Sequence, residues 1–340
     1  MDRDDGLLAD WRPRALALEA EVGKAVVGQT RVLRLVTTAV FARGHVLLQG
    51  DVGVGKTTLL RAFAQVLGGA FARTEGTVDL MPGDLVYYTY ISEQGRPAVE
   101  PGPLIRHGED LAIFFFNEIN RARPQVHALL LRAMAERSVS AFNREFVVPP
   151  LQVFADRNRV EREETFEISS AARDRFMMEV TIDAPADDAL RRALMFDPRF
   201  HDIDTLLGAL APAMVPHREL NAVAATIQRS VQASDALQTY ALALWRATAA
   251  PADFGVRLSD IDVSRLMLAG ASPRGMSMLL RAARVAAWLD GRDFVTPEDV
   301  QAVFVETLSH RLVYQPVFEL RRHEIAPALM AGILAAVAAP

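Results

Sequence analysis

The chain has 340 residues, 51% of them apolar and 23% charged, with a net charge of −5 and no cysteine. That length accommodates two domains with separate cores, and the composition argues against disorder. The acidic balance disfavours an obligate nucleic-acid binder, and the lack of cysteine excludes disulfides, zinc–thiolate sites and cysteine nucleophiles, so a reducing cytoplasmic location is expected.

The start, MDRDDGLLADWRPR, is polar and acidic, unlike a secretory signal. HVLLQG (45–50) is short, apolar and closed by glycine, which predicts a buried strand. TTLLRAFAQVLGG (57–69) follows with helical spacing and ends at a glycine pair. FARTE (71–75) reads as the next strand and LAIFFF (111–116) as a third, buried on both faces. Between them lies a Gly- and Pro-rich stretch (77–104), too long for a simple connection and therefore expected to be a functional insertion with short strands. RPQVHALLLRAMAER (123–137) predicts a helix with Pro124 at its start, and SVSAFNREFVVPPLQVFAD (138–156) a hairpin leading into a fourth strand. From about 186 the pattern turns helical: DDALRRALMF, RELNAVAATIQRSV, DALQTYALALWRATAA, GMSMLLRAARVAAWLDG and TPEDVQAVFVETLSHRL, the last with Thr296 as N-cap. The apolar tract IAPALMAGILAAVAAP (325–340) is too short for a bilayer core of about 30 Å, so a C-terminal helix and no stable membrane insertion are expected. The expected fold is α/β, a parallel sheet covered by helices over 1–185, followed by an all-helical domain over 186–340.

The stretch Gly50-Asp51-Val52-Gly53-Val54-Gly55-Lys56-Thr57 fits G-x-x-x-x-G-K-[ST] between a strand and a helix, the context that gives the pattern its meaning. Glycines let backbone N–H groups turn around phosphates, and the helix N-terminus adds positive potential. Lys56 would reach the β- and γ-phosphates of ATP, and the Thr57 hydroxyl would bind Mg²⁺. At the end of the third strand, where such sites carry Asp-Glu, the chain reads Asn117-Glu118. Glu118 is the candidate general base and Asn117 holds the metal-facing place. Taken alone, Asn158 reads as a turn residue or as a γ-phosphate ligand, and Arg175 and Arg274 as surface ion-pair partners.

Six stretches together resemble the MoxR family of AAA+ ATPases, in the clade with an insertion in the second helix of the core. They are VVGQ (26–29), GDVGVGKTT (50–58), NEINRARPQVHALLLRAM (117–134), RNRVEREETFEISSAARDRF (157–176), GASPRGMSMLLRAARVAAWLDGRDFVTPEDVQAV (270–303) and HRLV (310–313). The resemblance implies an AAA+ core, with 77–104 as its insertion, and an all-α lid. It places Gly28 and Gln29 near adenine and Thr58 with the P-loop. It makes Asn158 the sensor-1 residue, Arg175 an arginine finger acting on the neighbouring subunit's ATP, and Arg274 the sensor-2 residue of the lid. It further implies a homo-oligomeric ring of six subunits, ATP with Mg²⁺, and an ATP-driven chaperone role in maturing a client enzyme complex. Relatives commonly work with a von Willebrand factor A domain protein.

Two departures stand out. The family has Asp where Asn117 stands, and Ala-Thr-Gln-Asn-Pro where this chain has Ala155-Asp156-Arg157-Asn158-Arg159. An amide keeps the shape of Asp but loses its charge, a difference of roughly 1–2 kcal/mol in a hydrogen bond, which predicts ATP binding with hydrolysis slowed about tenfold. Two other functions stay open at this point: a nucleotide-gated assembly scaffold with little turnover, and a DNA-directed motor.

Overall fold

The computed structural model describes residues 3–158 and 166–340. The chain forms two compact units: 13–175 together with 180–222, and the residues up to Arg12 together with 176–179 and 223–340. The helices of 188–208 thus group with the sheet, although their composition resembles that of the helical half.

In chain order, α1 (Arg3–Gly23) and α2 (Thr30–Phe41) precede β1 (Val46–Gln49), α3 (Lys56–Leu67) and β2 (Ala70–Glu75). The insertion contributes a hairpin, β3 (Tyr87–Ile91) and β4 (Pro97–Pro101). β5 (Leu111–Asn117) and α4 (Pro124–Glu136) follow, then the hairpin β6 (Ser138–Ala141) and β7 (Arg144–Val147), β8 (Gln152–Arg157), α5 (Ser170–Arg173) and β9 (Met178–Thr181). The five-stranded sheet has the order β2-β5-β8-β1-β9, and the pairs β2–β5, β5–β8 and β8–β1 are parallel. Strand β8 inserts between β5 and β1, so three loops at the C-terminal edge of the sheet converge where ligands of such folds bind.

Sequence dictates this core. Phe114, Phe115 and Phe116 are fully buried, and alternation sends them to both faces of a sheet covered by helices on each side. Phe114 and Phe116 share one face, with their rings edge to face and centroids 6.4 Å apart. Burial of one such ring contributes about 1.5–3 kcal/mol relative to exposure. The β6–β7 hairpin closes through Phe142 and Asn143, both with positive φ (51° and 58°), the backbone a two-residue hairpin turn requires. Phe142 lies 5.2 Å from the ring of Tyr87, joining this hairpin to the insertion.

Downstream come α6 (Asp188–Phe196), α7 (Ile203–Gly208), α8 (Leu220–Ser230), α9 (Asp235–Ala249), β10 (Met267–Ala269), α10 (Pro273–Leu289), α11 (Pro297–Leu308), β11 (Val313–Tyr314), α12 (Pro316–Glu319) and α13 (Arg322–Ala336). Helices α8 to α11 and α13 occur where the pattern predicts them, while α12 and a small antiparallel pair, β10–β11, are added by short segments that gave no clear periodicity. α11 begins at Thr296-Pro297 as expected, but the cap is completed from inside the helix: Asp299 accepts the Thr296 N–H at 2.8 Å. Arg292 closes on the same carboxylate at 2.5 and 2.7 Å. In α13, Ile325, Leu329, Met330 and Ile333 are buried, so the apolar tract is a packed helix. No helix among the described residues is long and apolar enough to cross a membrane.

Candidate active site

The loop from Gly50 to Gly55 links β1 to α3. Gly55 has φ 90°, a left-handed conformation that strains any side-chain-bearing residue, and it caps α3 with no side-chain hydrogen bond. A Cβ on Gly53 or Gly55 would meet nothing within 4 Å. No side chain therefore crowds the first N–H groups of α3, as an anion site at a helix N-terminus requires. Asp51, Val52 and Gly53 are exposed, while Val54, Thr57 and Thr58 are half-buried.

Lys56 is folded under this loop and buried. Its Nζ donates to Gly50 O at 2.7 Å and to Asn158 Oδ1 at 2.9 Å, and stands 3.0 Å from Asp156 Oδ2. Asn158 in turn donates from Nδ2 to Glu118 Oε1 at 3.0 Å. The Glu118 N–H donates to Asp156 Oδ1 at 2.5 Å. Lys56, Asn158, Glu118 and Asp156 thus form a closed ring of contacts drawn from α3, β8 and the end of β5. Arg121 pairs with the other Glu118 oxygen at 3.1 Å.

Backbone geometry sets this arrangement. Glu118 adopts φ 54°, ψ 51°, the left-handed region, which turns the chain sharply out of β5. Gly76, just after β2, lies so close that a Cβ there would sit 2.1 Å from Glu118 O. Its N–H donates to Asn117 O at 2.7 Å. On the far side, buried His127 of α4 contacts Ile119 O through Nε2 at 2.6 Å, and burial holds its imidazole below the usual range.

Asn117 directs its amide Nδ2 to Glu75 Oε1, which leaves its own oxygen as the acceptor for a metal-bound water. Asp156 is 1% exposed. Burial pushes its carboxyl up, opposed first by the Glu118 N–H and then by Lys56, with a small further push from Glu75. Its Oδ2 is held by the Lys56 ammonium as an ion pair at 3.0 Å. Among the described residues no group of three or more His, Asp or Glu could hold a metal unaided. A divalent ion here would take most of its ligands from phosphate oxygens and water, as Mg²⁺ does. The open cradle, the Thr57 hydroxyl beside Lys56 and the carboxylates of Glu118 and Asp156 near the loop fit ATP with Mg²⁺.

The structure therefore brings Lys56, Glu118 and Asn158 together at the P-loop, with Asn117 beside Glu118 at the end of β5 and its amide turned to Glu75. Gln29 donates to Asp183 O at 2.6 Å, and Gly28 lies against Pro185 and Leu190; both pack on the chain leaving β9. Arg175, at the exit of α5, is half-buried, and its Nη1 donates to Ala171 O at 3.2 Å. Arg274 is exposed in the first turn of α10 in the other unit. Arg159, one of the altered neighbours of Asn158, lies outside the described residues. Sequence reading missed the parts played by Asp156 and Glu75. Alternation along β8 was the available signal for Asp156, because it shares a face with Asn158 two residues on.

Residues 45–178 match the family described as ATPase family associated with various cellular activities (AAA), and residues 261–328 match the AAA lid domain. A candidate ATPase from Cytophaga hutchinsonii, solved by crystallography, superposes with a TM-score of 0.82 at 26% identity, covering 96% of both chains. Protein MoxR of Methylorubrum extorquens is 58% identical over 99% of this chain and 98% of its own, and Protein MoxR of Paracoccus denitrificans 53% identical over 99% of each. Chaperone MoxR1 of Mycobacterium tuberculosis is 32% identical over 99% of this chain and 85% of its own. With a P-loop seated on a five-stranded parallel sheet, a lid domain behind it in sequence, and relatives alike from end to end, the chain belongs to the MoxR family of AAA+ ATPases.

Proposed function

We propose that the protein binds and hydrolyses ATP with Mg²⁺, and that it works in the cytoplasm as a chaperone-like motor on a client enzyme complex together with a von Willebrand factor A domain partner. The closed ring Lys56–Asn158–Glu118–Asp156 carries the hydrolytic part of this reading. Bound ATP and Mg²⁺ would supply an electrophilic γ-phosphorus and charge neutralisation of the phosphate oxygens. Lys56 would meet β- and γ-phosphate oxygens, and Thr57 would offer its hydroxyl to the metal. The Glu118 carboxylate is aimed by Asn158 on one oxygen and Arg121 on the other, an orientation suited to accepting a proton from water. The relative named a chaperone supports the wider role.

An arginine finger contributes roughly 10³–10⁵ in rate in related phosphoryl transfers. Arg175 is proposed to act on the neighbouring subunit's ATP in a homo-oligomeric ring of six, with Arg274 reporting nucleotide state from the lid. Arg175→Ala and Lys56→Ala proteins, each inactive alone, should regain phosphate release when mixed, because some interfaces then join an intact P-loop to an intact finger. No recovery at any ratio refutes action in trans. Tight ATP binding without phosphate release by the wild-type protein would instead support the nucleotide-gated scaffold that Asn117 suggests.

A further inference from the structure

Residue 117 is an amide where a carboxylate is expected, and residue 156 is a carboxylate where a threonine is expected. The two departures lie side by side. The β5–β8 register pairs Phe116 with Ala155, so the next step places Asn117 next to Asp156. On the other flank, Glu75 pairs with Asn117 across β2–β5. The C-terminal edge of the sheet therefore reads acid, amide, acid across three neighbouring strands.

We propose that Asp156 supplies the carboxylate charge that residue 117 lacks at the magnesium site, so that the charge has moved one strand across the sheet instead of being lost. This rests on the reading of the site as one for ATP with Mg²⁺. Asp156 is a positioning residue there: it fixes the Lys56 ammonium and the Glu118 main chain, and its Oδ2 turns to the water shell of the metal once Lys56 is drawn to the phosphates.

Three observations carry the proposal. A carboxylate that is 1% exposed is costly to bury, and side chains of this type are seldom fully buried without a partner to serve. One oxygen, Oδ1, is committed to the Glu118 N–H, while Oδ2 is held by the Lys56 ammonium, 3.0 Å away, a group the phosphates of ATP would draw off. Finally, an Asp at 117 would face Glu75 on one side and Asp156 on the other, and adjacent like charges oppose one another. The Asn117 amide instead donates to Glu75 and separates the two acids. A single exchange thus accounts for both departures from the family pattern.

The test is a titration of a fluorescent ATP analogue, with Mg²⁺ and with EDTA, into the wild type, Asp156→Asn, Asn117→Asp and the double variant. The readout is the ratio of the two affinities, which a purely packing role of Asp156 would not change. Charge-assisted hydrogen bonds are about twice as strong as neutral ones, so in Asp156→Asn the ratio of the Mg²⁺ to the EDTA affinity should fall about tenfold. Asn117→Asp alone should show no gain, and the double variant should return to within about threefold of the wild type. Phosphate release should follow the same order. The proposal is overturned if Asp156→Asn keeps the wild-type ratio, if Asn117→Asp alone gains about tenfold, or if the double variant is no better than Asp156→Asn. Should Asp156→Asn fail to fold, the Asn117→Asp arm still decides. Absence of ATP binding by the wild type overturns the nucleotide reading and this inference with it, a result distinct from altered Mg²⁺ linkage.

Discussion

Replacing Gly76 with alanine perturbs Glu118 without touching its side chain. The new Cβ would stand 2.1 Å from Glu118 O, 2.9 Å from Glu118 C and 3.1 Å from Asn117 O, all backbone atoms that no rotamer change can move aside. A carbon–oxygen contact settles near about 3.3 Å, so the end of β5 must retreat from β2 by roughly 1 Å. Overpacking of this kind costs about 1–3 kcal/mol of stability. The larger consequence is catalytic. A displacement of about 1 Å at a reacting group can cost roughly 10² in rate, while Lys56 and the glycine cradle, on the far side of β8, keep their places. Gly76→Ala should therefore retain ATP affinity within about threefold and lose about 10²-fold in kcat, measured by nucleotide titration and steady-state phosphate release on protein whose folding is followed by urea melts. A variant destabilised as expected but with wild-type kcat would refute the idea that the β2–β5 approach sets the aim of Glu118.

Two further outcomes follow from the same geometry. Burial holds His127 below the usual histidine value, so the unfolded chain takes its proton first as pH drops below about 6.5. Its contribution is fully favourable above that point and declines on acidification toward the folded value. His127→Gln, which keeps a donor for Ile119 O, should flatten the fall in urea midpoint between pH 7.5 and 5.5; an unchanged slope would exclude His127 as a source. In the second unit, Asp299 is 3% exposed and joins the Thr296 N–H to the Arg292 guanidinium. Asp299→Ala should cost about 3 kcal/mol in urea unfolding, combining a lost cap with a stranded cation, and a loss below about 1 kcal/mol would show the pair to behave as a surface one.

Much of this was legible in the residues. The P-loop, the apolar run of β5, the hairpin before β8 and the helices of the second half each carry a local signal: glycine spacing, alternation, period 3.6 or a cap. Lys56 could be named from the glycine pattern that opens α3, Glu118 from its place after the apolar run of β5, and Asn158 from the family resemblance. Strand order is different. Nothing local says that β8 inserts between β5 and β1, and without that order Asp156 is only an odd neighbour of Asn158. The fifth strand, β9, was also hidden, since four residues with no turn signal before them give periodicity little to work on. Glu75 escaped notice for the same reason as Asp156: its part depends on register with β5, a relation between distant segments.

The left-handed turn at Glu118 has a mechanical consequence. Asn117 is bound to the β2 side through Gly76 and Glu75, Glu118 to β8 through Asp156 and Asn158, and Ile119 to α4 through His127. Three consecutive residues are thereby bolted to three different elements, with no slack between them. The insertion 77–104 departs directly from the β2 side of this junction, and the β6–β7 hairpin feeds β8. The same junction joins the end of β2, which leads into the insertion, to β8, which follows the β6–β7 hairpin, so a shift of either strand is passed to the Glu118 carboxylate.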